Sequence, residues 1–143
     1  MTRLRGYLSA IAFIAFFATS CSESRSSQCS RLIAVANRAV GEMQAIIQTN
    51  TTPNYSAYLK VAETVDNAKA AMEAIELNDP QLQEFQSRFI SLYSELGKSS
   101  RALSEAIQKE DIQAAESAQQ AFEAATNKEP PLVNEVNLYC NPG

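Results

Sequence analysis

Residues 82–96 read Leu82-Gln83-Glu84-Phe85-Gln86-Ser87-Arg88-Phe89-Ile90-Ser91-Leu92-Tyr93-Ser94-Glu95-Leu96. Leu82, Phe85, Phe89, Leu92 and Leu96 advance in steps of three and four, the spacing that stacks apolar side chains on one face of a helix. Ser99 and Leu103 keep the phase beyond Gly97 and the Ser99-Ser100 pair, which predicts one long helix to about Lys109. A helix with a single apolar stripe has to bury that stripe against other elements. The rest of the chain offers helices and few strand signals, so the fold class is all-α.

Working upstream, Asn78-Asp79-Pro80 reads as a stop followed by a start. Asp79 can cap the long helix with its side-chain oxygen while Pro80 takes the first turn, where no amide is needed. A second helix is expected before it, from about Pro53 or Tyr55 to Leu77, with Tyr58, Val61, Val65, Ala68, Met72 and Ile75 on its seam. Asn50-Thr51-Thr52-Pro53-Asn54 is a break rich in turn and cap residues. Ahead of it, residues 28–48 carry Cys29, Ile33, Ala36, Val40, Met43 and Ile47 in alternating steps of four and three.

Downstream, Asp111 can cap a fourth helix with a light inner face of Ala115, Ala118, Phe122 and Ala125. Asn127 to Pro131 interrupts it, and a short piece from Leu132 to about Cys140 follows. Four helices with short links form an antiparallel up-down-up-down four-helix bundle, its last helix interrupted near Pro130-Pro131. The bundle domain spans residues 28–143.

That topology puts the start of the first helix and the end of the last at one end of the bundle. Cys29 and Cys140 stand there, each in phase with its own seam, and a disulfide between them is expected. The alternative is two free buried thiols.

Several function classes lose support from composition. The chain has no histidine and only four glycines. Histidine bases and ligands, the Glu-x-x-His pairs of di-iron bundles and the Cys-x-x-Cys-His of covalent haem are therefore missing. No glycine-rich phosphate loop or Gly-x-Ser-x-Gly elbow occurs. Glu63, Asp66 and Glu73 are scattered along the second helix and give no reason to expect an acidic cleft. Met43 and Met72 could hold Cu(I) as soft ligands, but at seam positions they read as core filler. Tyr55, Tyr58, Tyr93 and Tyr139 read as rings packed in the core with wet hydroxyls. The expectation is no enzyme, no cofactor and no metal.

The first twenty residues have the parts of an export signal. Arg3 and Arg5 are basic, Leu8 to Ala18 is apolar except for Ser9, and Ala18 and Ser20 are small. The apolar run is about half the length that a membrane-spanning helix needs. Two of the twelve basic residues lie in this leader, which leaves ten against sixteen acids, a net charge near −6. Nucleic acid is not an expected partner of such a chain.

The run Phe16-Phe17-Ala18-Thr19-Ser20-Cys21 resembles the lipobox of bacterial lipoproteins, in which the cysteine takes diacylglycerol and becomes the mature N-terminus. Cleavage by an ordinary signal peptidase at the Ser20–Cys21 bond is the competing reading. Cysteine parity favours lipidation, since three cysteines leave one over once Cys29 and Cys140 pair. Cys21 is the candidate lipidation site, and residues 22–27, small and polar, read as a flexible tether. The closing stretch Leu132-Val133-Asn134-Glu135-Val136-Asn137-Leu138-Tyr139-Cys140 is similar to those of small helical bacterial lipoproteins. That resemblance implies a lipid-anchored place on the periplasmic or extracellular face of a cell envelope, and no particular activity.

The expectation from these features is a monomeric, non-enzymatic lipoprotein, held to a membrane by its anchor, that docks another envelope protein. The rival is a bundle holding a small apolar ligand among Phe85, Phe89, Phe122 and the methionines. A large internal cavity would favour the rival, and a filled core with exposed apolar groups would favour docking.

Overall fold

The computed structural model describes residues 23–49 and 54–141. Its helices are α1 (Arg25–Thr49), α2 (Tyr55–Glu73), α3 (Pro80–Gln108), α4 (Ile112–Thr126) and α5 (Glu129–Cys140). α4 and α5 form one interrupted column, so the architecture is the expected all-α bundle of four antiparallel columns. The segment read as an export signal, Cys21 and residues 50–53 of the expected break lie outside the described residues.

α3 is the spine. Leu82, Phe85, Phe89, Leu92, Leu96, Ser99 and Leu103 are all buried, and the helix runs unbroken through Gly97. Gly97 is needed for closeness between helices. A Cβ there would lie 3.1 Å from Asp66 Oδ1 and 3.4 Å from Val65 Cγ2 of α2. α2 and α4 pack along α3, α1 packs on α2, and α5 bridges α1 and α3.

The caps explain the boundaries. Asp79 accepts the backbone N–H of Gln81 and Leu82 at 2.9 and 3.0 Å, with Pro80 in the first turn. Asn54 and Asp111 cap α2 and α4 through the N–H of Ala57 and Ala114. α3 ends in a paired turn in which Asp111 N–H donates to Ala106 and Glu110 N–H to Ile107. Glu110 takes φ 56° there, a left-handed position that glycine adopts at less cost.

Four expectations need correction. α2 stops at Glu73, so Ile75 lies beyond it and not on its seam. The apolar phase continues to Leu77, but tertiary bonds end the helix. Gln86 Nε2 donates to the carbonyls of Met72 and Ile75, and Gln28 Oε1 accepts from Asn78 and Asp79. The buried stripe of α1 is Gln28, Cys29, Leu32, Ala36 and Ala39, turned by about one residue from the expected seam at Ile33 and Val40. Beyond Ala39 no residue of α1 is buried, because α4 does not pack on it.

α1 also begins at Arg25, inside the stretch read as tether. Ser24 Oγ accepts the N–H of Ser27 and Glu23 pairs with Arg31, which together start the helix early. Finally, α5 starts at Glu129 instead of Leu132. Pro130 and Pro131 sit in its first turn, which tolerates proline, and the interruption is confined to Asn127 and Lys128.

Candidate functional site: the clamped end and the open end

One end of the bundle is closed covalently. Cys29 and Cys140 form a disulfide with a Cα–Cα distance of 5.8 Å across a sequence separation of 111. Around it the start of α1 and the end of α5 are bound to the α2–α3 corner. The Tyr139 hydroxyl donates to both oxygens of Asp79, at 3.0 and 2.8 Å. The Tyr139 ring meets Phe85 edge-on, and the Arg25 guanidinium lies 5.1 Å from its centre. Arg31 donates to the Glu76 carbonyl at 2.6 Å.

Asp79 thus serves as helix cap and tyrosine acceptor together. Partial burial raises its carboxyl, but the N–H of Leu82, the Tyr139 hydroxyl, the N–H of Gln81 and the Arg25 charge outweigh this and hold it below the usual value.

The middle of the bundle is filled. The crevice between Leu32, Phe89 and Val136 has a volume of about 10 Å³, room for about one water at most. The larger hollows among the described residues are open surface grooves. One, of about 530 Å³, runs between α3 and α4 past Ser99, Ala102, Ala114 and Ala118. Another, of about 330 Å³, lies between α3 and the start of α5, crossed by the ion pairs Arg88–Glu135 and Lys128–Glu95.

The other end exposes apolar side chains. Ile47 at the end of α1 is 62% exposed, Tyr55 and Leu59 at the start of α2 are 47% and 43%, and Ile112 at the start of α4 is 76%. The bond from Ser104 Oγ to the Tyr55 carbonyl, 2.8 Å, ties the start of α2 to the end of α3 here. Compared with protein-family models, curated proteins and solved structures, the chain matches none.

The residues proposed to hold an apolar ligand share one apolar cluster: Phe85, Phe89 and Met72 are buried in it, and half-buried Phe122 and Met43 pack against it. Phe122 also meets Tyr58 edge-on at 6.0 Å. The acids of α2 scatter. Asp66 pairs with Arg101 and Glu73 with Lys69, while Glu63 is exposed. Among the described residues no cluster of three metal-ligating side chains occurs, and no helix is long and apolar enough to cross a membrane.

Two polar positions escape sequence reading. Tyr93 is fully buried and its hydroxyl has no hydrogen-bond partner, contrary to the expected wet hydroxyl. Glu129 Oε1 is likewise buried and unpartnered. Burial pushes both groups up, with the Glu129 charge adding to the effect on Tyr93. A signal for Glu129 exists in the chain. Glu129, Leu132, Val136 and Cys140 follow helical spacing, which puts the acid on the inward stripe of α5.

Proposed function

We propose that this chain is a lipid-anchored, non-enzymatic module of a bacterial cell envelope. In this reading Cys21 carries the lipid, the Cys29–Cys140 bridge closes the end nearest the membrane, and the opposite end docks another envelope protein. The observation that carries it is a core with only a small crevice combined with exposed Ile47, Tyr55, Leu59 and Ile112 at the end away from the anchor, four of the five large apolar side chains exposed among the described residues; the fifth, Leu138, lies near the bridge. An end of a bundle that exposes several apolar side chains is a candidate interaction surface. The ligand-binding rival has less support, because the crevice in the core beside Phe89 has a volume of only about 10 Å³.

The anchor geometry fits. With α1 starting at Arg25, three residues separate it from Cys21. They span about 10 Å when extended, so the clamped end is held against the membrane surface and the apolar end faces away. Ten basic against sixteen acidic residues after residue 20 give nucleic acid no place in this reading.

Site-specific photocrosslinking in intact cells tests the docking reading. A probe replacing Ile112 or Ile47 should give one discrete adduct, which an identical probe at Ser87, exposed on the flank of α3, does not. Ile112→Asp should abolish the adduct formed from position 47 while leaving the thermal midpoint within about 3 °C, as expected for an exposed site. Equal adducts from distal and flank probes would refute a distal docking surface.

A further inference from the structure

At the open end, the turn between α3 and α4 holds a backbone conformation that its residue does not favour. Glu110 takes φ 56°, the one positive φ outside glycine among the described residues. Its N–H donates to the Ile107 carbonyl and that of Asp111 to Ala106, the paired bonds of a helix end at which glycine is the usual residue. Asparagine and aspartate visit this conformation because their short side chains bond locally, a reach glutamate lacks. Strain kept at an exposed position points to a role for the side chain outside the fold.

The charges at this end narrow that role. The last turn of α1 (residues 46–49) and the first turns of α2 (55–58) and α4 (112–115) carry none. What remains is Glu105, Lys109, Glu110 and Asp111, where α3 ends and turns into α4. Lys109 Nζ donates to Glu105 at 2.5 Å, and the Asp111 carboxylate caps α4 through the N–H of Ala114. Among the described residues, Glu110 alone of the four has no intramolecular partner for its charge. It is exposed and stands two residues from Ile112, the most exposed of the large apolar side chains. An apolar face edged by one unpaired carboxylate complements a face with an apolar recess and one cation beside it. Such a pair is worth little in bulk water and more where apolar contact excludes water.

We propose that Glu110 sets the specificity of the docking end: the partner is an envelope protein that presents a lysine or arginine beside an apolar recess for Ile112. This rests on the docking reading above and adds the chemistry of the partner. It also gives a reason for glutamate at a strained position. Glycine would suit the turn better but would leave the partner's cation unpaired at the contact.

The test uses benzoylphenylalanine in place of Ile47 as the crosslinking probe, in envelope membranes at about 50 mM and about 500 mM salt. The wild-type adduct should fall about two- to fivefold between these salts. Glu110→Gln and Glu110→Gly should start at the reduced yield and respond less to salt, and Glu110→Lys should lower the yield further. Unfolding cannot account for a loss in Glu110→Gly, which relieves the turn. Once mass spectrometry of the adduct locates the partner's cation, reversing its charge should restore the yield of Glu110→Lys. An adduct that Ile112→Asp removes but that all three Glu110 variants leave at wild-type yield and salt response overturns the role of Glu110 alone. No adduct in the wild type, or one that Ile112→Asp leaves unchanged, overturns the docking reading and this inference with it. An adduct with the mass of two copies of the chain, or with lipid, overturns the assignment of the partner.

Discussion

Removing both half-cystines, Cys29→Ala with Cys140→Ala, should cost this fold a large share of its stability. The bridge closes a loop of 111 residues in sequence separation. Loop-closure entropy for a ring of that size gives an upper value of about 5 kcal/mol, and native disulfides of small exported domains typically return about 2–5 kcal/mol. The total stability of such a domain is about 5–15 kcal/mol, so the variant approaches the unfolding threshold. For a domain of about 120 residues, a loss of about 4 kcal/mol corresponds to a melting point about 15 °C lower. The fold itself should persist, because Tyr139–Asp79 and Phe85–Tyr139 still hold α5 to the α2–α3 corner. Urea titration followed by far-ultraviolet circular dichroism, with and without reductant, measures the loss. The double variant and the reduced wild type should agree within about 1 kcal/mol, since both lose the same constraint. A difference below about 1 kcal/mol between oxidised and reduced wild type would refute the clamp as a main source of stability.

Further substitutions probe particular joints. Glu110→Gly should raise stability by about 0.5–1 kcal/mol in the same titration, because Glu110 holds φ 56° where glycine is unstrained. Gly97→Leu should lower it by about 1–3 kcal/mol, read from the melting point, since the new side chain meets Val65 and Asp66 of α2. Asp79→Ala should cost about 1–2 kcal/mol by urea midpoint through the lost cap alone. Because the Asp79 carboxyl is held below its ordinary value, its contribution is present above that value and fades as pH falls through the lower folded one. Asp79→Asn should therefore flatten the acid limb of the stability–pH profile measured by thermal melts.

How much of this was legible in the chain depends on where tertiary contacts overrode local pattern. α3 was readable at every seam position because its stripe is long and made of Leu and Phe. The disulfide was readable from cysteine parity and from the end-to-end demand of the topology. The end of α2 was not, because Ile75 and Leu77 continue the helical phase while Gln86 and Gln28, far away in sequence, take up the backbone groups that end it. α1 was misread by one residue because Leu32 and Ala39 compete with Ile33 and Val40 as equally apolar neighbours. That the far half of α1 has no buried residue is a matter of which helices pack on it, and nothing in the spacing of the α4 alanines encodes that. Of the candidate site, the clamp was visible and the exposed end was not. Ile47 sat on an expected seam, and the structure leaves it in solvent. Glu129 was passed over as part of a proline-rich break, although it shares the stripe of Leu132 and Val136.

The account rests most directly on Cys21 and its lipid, and intact mass of the membrane-extracted chain, before and after reduction, tests it. The account predicts a chain beginning at Cys21 that carries the added mass of acyl groups and gains about two hydrogens on reduction, as one disulfide requires. An unlipidated chain released from the membrane, with Cys21 free, would contradict the anchored docking module. It would leave an exported bundle with no fixed orientation to a membrane.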